Sequence, residues 1–390
     1  MIDILAISYA SAIATNRCIY RELKNLGWNI QLIVPEQIHT GSHYQKAEKK
    51  YEEDPPINFL QLTSYHQRLN SYKGLYDFLN KLRPKIILLD SSPASILAIQ
   101  SAKWAKKNNS KLICQSCDNI LPKYYIEIMK GNLRSALSAM ATQLLSNLNK
   151  NDIEHIFVIS NDGKNIMEKL GFKNRISKIP LGFDRKLFFR NKDLRIKTRQ
   201  TLGLKETTIA YFGRLNYQKG VHILIKSLES LRDMNWHLLI DRFSQYEEHY
   251  GMEIQKQIQE SDLSSRIIYF DAKHNEMPAY MNAADIVVVP SISVPNWKEQ
   301  YGRIVPESMA CGKLVIVSNN GALPELIDNA GIIFPEKDTS TLSRILRDTI
   351  SNPEKQEYFA NLAENRAIEF LSVDRQRDLM HNVFQRVLNL

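Results

Sequence analysis

Apolar residues arrive in short runs separated by polar turns, and most runs are followed by apolar spacing of helical period. In the first half the runs are Ile2–Ser8, Asn29–Val34, Ile57–Leu62, Lys85–Asp90, Lys111–Gln115 and His155–Ile159. Each has the length and character of a buried strand, and the alternation with helical segments predicts a doubly wound parallel sheet. The pattern restarts with Thr208–Phe212, Trp236–Ile240, Ile267–Phe270 and Ile286–Val289, after a charged segment from Arg190 to Lys205. Two helical stretches, Pro353–Leu371 and Asp374–Leu388, close the chain. Leu133, Leu137, Met140, Leu144 and Leu148 form a stripe at helical spacing, with Lys123, Tyr124, Tyr125, Lys130 and Arg134 clustered ahead of it or at its start. Such a stripe suits a helix packed on the sheet; an amphipathic membrane contact is the alternative.

A chain of 390 residues predicts two domains. We place them at 1–190 and 191–372, with 373–390 as a final helix. With 44% hydrophobic and 24% charged residues the composition is that of an ordinary globular protein. The opening MIDILAISYA has no basic region of the kind that begins a signal peptide, and no apolar run reaches the length of a membrane helix. A cytoplasmic protein is expected, with peripheral contact at the inner face of the membrane as an added location.

The charge of +9 is uneven. Residues 1–190 carry 27 Lys and Arg against 16 Asp and Glu, a surplus of 11, while residues 191–390 carry 24 against 26. A basic half meets something anionic or is merely solvated; an anionic membrane or a lipid-linked phosphate is the leading candidate. No nucleic-acid motif accompanies the charge, so nucleic acid is not expected as a partner. Cys114 and Cys117 have CxxC spacing without a second pair, which fits reduced structural thiols better than zinc.

Candidate chemistry concentrates between Ser291 and Glu325, directly after the apolar run Ile286–Val289. Pro306 restricts a helix to starting near Gly302 or Arg303, because proline is tolerated only in the first turn. The backbone N–H groups of Tyr301, Gly302 and Arg303 then lie at a strand's carboxyl end, where α/β sheets bind ligands. Glu299 precedes that helix and Glu307 sits about one turn inside it, separated by roughly 8 Å along the axis. Such a separation suits one carboxylate at each end of a nucleoside diphosphate; the plainer alternative pairs Glu307 with Arg303 on a solvated face.

The block W-K-E-Q-Y-G-R, the spacing of Glu299 and Glu307, and the run E-S-M-A-C-G closely resemble the donor-binding signature of the retaining glycosyltransferases of family four. Gly213-Arg214 with Lys219-Gly220 resembles that family's G-R-x(4)-K-G element, and Ser318–Glu325 its S-x-x-G-x-x-P-E run. Ile179–Asp184 resembles the run that ends the first domain. The resemblance implies the GT-B fold: two Rossmann-like domains facing a central cleft, with a C-terminal helix returning to the first domain. It also implies transfer of a sugar from a nucleotide donor to a hydroxyl on a sugar, lipid-linked or protein-linked acceptor, as in cell-surface polysaccharide or glycoconjugate synthesis.

In that reading Arg214 and Lys219 stabilise the departing diphosphate, so no metal and no cofactor is expected. Gly213, Tyr301, Gly302, Arg303 and Glu307 complete the donor site, and Glu299 acts toward the transferred sugar. Arg214 and Lys219 share a loop, so removing either is expected to leave the fold intact. On the acceptor side the first turn, Tyr9 to Asn16, lacks the family's usual glycines, and no histidine falls between His66 and His155. Asp90 and Ser92 after one strand, or Asp118 and Asn119 after the next, are candidates for the missing histidine's part, or else simple turn formers. Asp241-Arg242-Phe243 and Asp271–His274 also lack the family's glycines and put the base pocket in question. Two other readings stay open: a GT-B scaffold that lost catalysis, and another nucleotide-sugar enzyme of the fold.

Overall fold

The computed structural model describes residues 2–39, 44–65, 68–121, 129, 133–242 and 248–390. Lys123, Tyr124, Tyr125, Lys130, Phe243 and the side chain of Arg134 lie outside the described residues. The chain divides into two compact units, Met1–Pro180 with Val373–Leu390, and Leu181–Ser372.

In the first unit seven strands form a wholly parallel sheet: β1 (Ile4–Ser8), β2 (Ile30–Pro35), β3 (Ile57–Leu60), β4 (Ile86–Asp90), β5 (Lys111–Ser116), β6 (His155–Val158) and β7 (Ile176–Lys178). Their order is β3-β2-β1-β4-β5-β6-β7, so the chain reverses direction across the sheet beside β1. Helices α1 (Cys18–Asn25), α2 (Ile96–Lys107), α3 (Leu133–Asn149) and α4 (Asn161–Lys169) are among the connections. α2 and α4 are capped by Ser95 and Ser160, whose hydroxyls accept the N–H groups of Ala98 and Gly163. β1 and β4 are buried on both faces, which explains their unbroken apolar runs.

The first turn uses no glycine. Two short 3-10 turns replace it, Ala10–Ala12 and Ala14–Arg17, and the buried Arg17 holds them. Its guanidinium donates to Ser11 O (2.8 Å), Glu48 O (2.7 Å) and Lys49 O (2.9 Å) and pairs with the buried Asp54 at 3.0 Å.

The C-terminal helix Val373–Leu388 belongs to this unit, while the helix before it, Pro353–Phe370, belongs to the second. Its stripe of Val373, Met380, Val383 and Phe384 is buried against the α1 side of the sheet. Phe384 meets Trp28 edge-on at 5.7 Å, and the Trp28 indole donates to His381 Nδ1 at 3.1 Å. Burying a side chain such as Phe384 stabilises by about 1.5–3 kcal/mol.

Helix α3 departs from its expected packing. Its inward residues are the small or polar Ala136, Ala139, Thr142, Ser146 and Asn149, all buried. The stripe Leu133, Leu137, Met140, Leu144 and Leu148 faces outward, each residue at least 50% exposed. Helical spacing fixes which residues share a face; here the close approach of α2 admits the small face and leaves the leucines outside.

The second unit carries a six-stranded parallel sheet of β8 (Thr207–Tyr211), β9 (Trp236–Asp241), β10 (Ile267–Phe270), β11 (Ile286–Val289), β12 (Leu314–Ser318) and β13 (Ile332–Phe334), ordered β10-β9-β8-β11-β12-β13. The switch point lies between β8 and β11, the place where such sheets bind ligands. The unit begins at Leu181, ten residues before the division placed at 190/191. The reason is packing: Phe188 is buried with its ring 5.4 Å from His274, and Arg190 pairs with Glu357 and Glu364 at 2.8 Å.

Candidate functional site

The site grows from the carboxyl ends of β8 and β11. After β8 the chain passes through Gly213 and the exposed Arg214, whose carbonyl accepts the buried Tyr211 hydroxyl at 2.6 Å. A 3-10 turn, Tyr217–Lys219, leads to α5 (Val221–Leu228). Gly220 joins them at φ +70, and a Cβ there would stand 2.0 Å from the carbonyl oxygen of Pro290. Only glycine allows this approach. The Ile292 N–H donates to Gln218 O at 2.9 Å, tying the turn to the segment after β11.

That tie brings two sequence candidates together. Lys219 Nζ lies 2.6 Å from Glu299 Oε2, and the Ser291 hydroxyl donates to the same oxygen at 3.0 Å. The Trp297 ring lies beneath the ammonium, 5.1 Å from its centroid. Glu299 is 6% exposed. Its own backbone is clamped by the segment after β12: the N–H donates to Asn320 Oδ1 at 2.7 Å, and the carbonyl accepts the Ala322 N–H at 3.1 Å. Gly321, at φ +52, passes so close that a Cβ would stand 2.0 Å from Glu299 O. Lys219 is therefore part of what holds Glu299, so its removal bears on the stability of the loop as well as on its charge.

Glu307 has a different environment. It lies in α6 (Ile304–Ala310), with Gly302 in the bend before it and Arg303 at the N-cap. The Glu307 side chain is 2% exposed, so the solvated face of the plainer reading is not where it sits. Its Oε1 lies 3.8 Å from Arg303 Nη2 and 3.9 Å from His274 Nε2, both too long for hydrogen bonds, and has no hydrogen-bond partner among the described residues. Burial raises the carboxyl to about 7 against the opposing pull of Arg303. Burial, assisted by Arg303, lowers His274 to about 4, so at neutral pH this imidazole is uncharged and forms no ion pair with Glu307. Tyr301 is buried and its hydroxyl is pushed well up by burial, while Arg303 stays partly exposed.

The turns without glycine are built from aromatic and charged groups. Arg242 stacks over Tyr269 at 5.1 Å, and Phe270 stacks on Tyr280 at 4.1 Å.

In the first unit Asp90 ends β4 and accepts the Ser8 hydroxyl at 2.8 Å; burial raises its carboxyl, with Ser8 and the Ala10 backbone opposing. Ser92 accepts the Ala94 N–H at 3.3 Å, and Asp118 accepts the Ser116 hydroxyl at 2.9 Å, both local turn contacts. Asn119 is buried. Cys114 and Cys117 are free thiols raised by burial.

Sequence reasoning missed Ser291, Asn320 and the position of His274 beside Glu307. Asn320 lay within the run Ser318–Glu325, and a polar side chain just after the strand next to the switch point was the available signal.

Residues 194–366 match the family model described as glycosyl transferases group 1. An uncharacterized glycosyltransferase of Methanocaldococcus jannaschii is 26% identical over 216 residues, 54% of this chain and 53% of that one. The chain spans about half or less of the length of the relatives it matches. Among solved structures, sucrose-phosphate synthase of Thermosynechococcus elongatus superposes with a TM-score of 0.75 at 16% identity over 100% of both chains. Anabaena HepE in complex with UDP gives 0.74 at 18% identity, over 99% of this chain and 100% of that one. The match to glycosyl transferases group 1 spans residues 194–366, within a chain that has the GT-B fold.

Proposed function

We propose that this chain is a retaining glycosyltransferase of family four, moving a sugar from a nucleotide sugar to a hydroxyl acceptor. The observation that carries the reading is the pair Lys219–Glu299 joined at the switch point, with Glu307 buried nearby and one acceptor atom open. Solved structures of the same fold hold UDP and UDP-glucose, which supports a nucleotide-sugar donor.

The roles follow from charge and valence. Cleavage of the bond between the anomeric carbon and the phosphate oxygen leaves the electron pair on the diphosphate. Arg214 can grip two oxygens with its fork. Lys219 has three N–H donors; one engages Glu299 and the others remain for phosphate. No metal is then required. Glu307 Oε1 accepts hydrogen bonds from the ribose diol. Glu299 faces the sugar; the acceptor oxygen bonds the anomeric carbon on the face the phosphate leaves and gives its proton to that phosphate, which retains configuration.

The acceptor, a sugar-, lipid- or protein-linked hydroxyl, is received by the first unit, with Asp90, Ser92, Asp118 and Asn119 as its candidate contacts. The product enters cell-surface polysaccharide or glycoconjugate synthesis on the cytoplasmic side, where nucleotide sugars are supplied.

The test is a binding screen over nucleotide sugars followed by turnover of the best donor with candidate acceptors, with and without a chelator. Nucleoside diphosphate released only when acceptor is present, unaffected by chelator, agrees with the proposal. An inverted anomeric centre, read from proton coupling constants in the product, overturns it. Donor binding with no acceptor-dependent release favours the scaffold reading.

A further inference from the structure

Helix α3 carries the largest contradiction between residue type and position in the first unit. Its small and polar side chains are inside, and its five large apolar residues, spaced over four turns, are outside. Single exposed leucines are common, but an aligned set on one face marks a contact surface. Placing all five in water has no structural return, since the buried face of the helix is made by Ala136, Ala139, Thr142, Ser146 and Asn149.

Charge identifies the occupant. The helix Leu133–Asn149 contains no Asp or Glu, and its one charged residue is Arg134. Arg68 Nη1 donates to Ser138 O at 3.4 Å, which sets a guanidinium beside the exposed middle of the helix. Directly past its last turn lies a hollow of roughly 660 Å³ lined by Lys150, Asn165, Glu168, Lys169, Gly171 and Lys173. Lys169 and Lys173 are exposed there, and Glu168 already faces Lys164 at 3.9 Å. An apolar stripe with cations beside and beyond it, on a half of the chain with a surplus of 11 positive charges, matches an acidic headgroup layer over acyl chains. A second copy of this chain would bring the same cations against one another.

We propose that helix α3 docks the first unit on an anionic lipid bilayer, its leucine stripe entering the interface and Arg68, Lys150, Lys169 and Lys173 meeting lipid phosphates. No helix among the described residues is long and apolar enough to cross a membrane, so this is contact in the plane of the surface. The inference stands apart from the proposed transfer reaction, because its readout needs no donor or acceptor.

The experiment is flotation of the full chain with vesicles of phosphatidylcholine containing about a quarter phosphatidylglycerol, compared with phosphatidylcholine alone. Binding is expected to the anionic vesicles and to weaken as salt rises. Leu137→Gln/Leu144→Gln, at two exposed positions where the thermal melt is expected to stay unchanged, should weaken binding about tenfold or more. Lys169→Glu/Lys173→Glu should weaken it as well, and only at low salt. Equal flotation of wild type and the leucine variant overturns the proposal, as does failure to bind anionic vesicles. A concentration-dependent dimer, abolished by the leucine variant and unaffected by vesicles, assigns the stripe to a second copy instead.

Discussion

Replacing Lys219 by alanine tests the site more sharply than any other change, because the side chain has two separable duties. If its ammonium stabilises the leaving diphosphate, its loss should lower turnover by about a hundredfold or more at saturating donor. The ammonium is also the ion partner of Glu299, at 2.6 Å, and Glu299 is nearly buried. Breaking a fully buried pair costs about 3–5 kcal/mol. Here Lys219 keeps 19% side-chain exposure and Ser291 still donates to Glu299, so a cost of about 1–3 kcal/mol is the better figure. In a unit of this size that lowers the melting temperature by roughly 2–12 °C.

Arg214→Ala supplies the contrast. That side chain is exposed, so a similar loss of turnover should come with a stability change within about 0.5 kcal/mol. A double variant, Lys219→Ala/Glu299→Gln, removes the stranded carboxylate and should recover part of the lost stability with none of the turnover. The assay is nucleoside diphosphate release at saturating donor, beside thermal melts of each variant. Near-normal turnover of Lys219→Ala refutes the phosphate role. A wild-type melt for Lys219→Ala refutes the ion pair.

Glu307→Gln should weaken binding of donor and of free nucleoside diphosphate alike in calorimetry; unchanged diphosphate affinity rejects the ribose role. Because burial raises this carboxyl to about 7, stability should be full below its ordinary value near 4.5 and fall as pH rises through 7, by up to about 3 kcal/mol. The glutamine variant should show no such fall in urea melts at acid and alkaline pH. Arg17→Ala removes one of the two cations on Asp54, Arg21 at 3.1 Å remaining, and frees the carbonyls of residues 11, 48 and 49, so a loss of about 2–4 kcal/mol is expected from denaturant melts. Gly321→Ala should displace the Glu299 backbone and lower turnover more than donor affinity, which steady-state kinetics will separate.

The fold was legible because parallel strands covered on both faces must be apolar along their whole length. β1, β4 and β11 announce themselves so, and β8 and β9 do it by apolar runs of three residues. Short edge strands such as β7 and β13 did not, since three residues carry no period. The α3 stripe shows a second limit. Spacing identifies a helical face, but whether that face or the one opposite meets the sheet depends on how closely α2 approaches, which is a tertiary fact.

Of the site, the charged residues were legible and their partners were not. Glycines flanking Arg214 and Lys219 signalled a tight loop near a strand end. Nothing local indicated that Lys219 reaches Glu299, eighty residues on, or that Asn320 receives the Glu299 N–H. Both contacts depend on β11 lying beside β8 and β12 in the sheet.

The two glutamates, eight positions apart, end in opposite states of satisfaction, and that difference decides what each can offer a ligand. Glu299 accepts from Lys219 and Ser291, and its backbone is fastened at both its N–H and its carbonyl. A ligand reaching it must share Lys219, and a diphosphate does so by using that ammonium's remaining protons. Glu307 has burial without compensation: Oε1 lacks a donor, and the nearest cation is 3.8 Å away. A diol placed there supplies two donors to a carboxylate that has already left water, so part of the desolvation cost is met before the ligand arrives. The bound carboxylate is then favoured over the acid, and its affinity for protons falls. Nucleotide binding should release a proton from Glu307 below about pH 7, tightening as the pH rises toward that value and levelling beyond it. The glutamine variant lacks that component, which separates it from titration of the nucleotide's own phosphate.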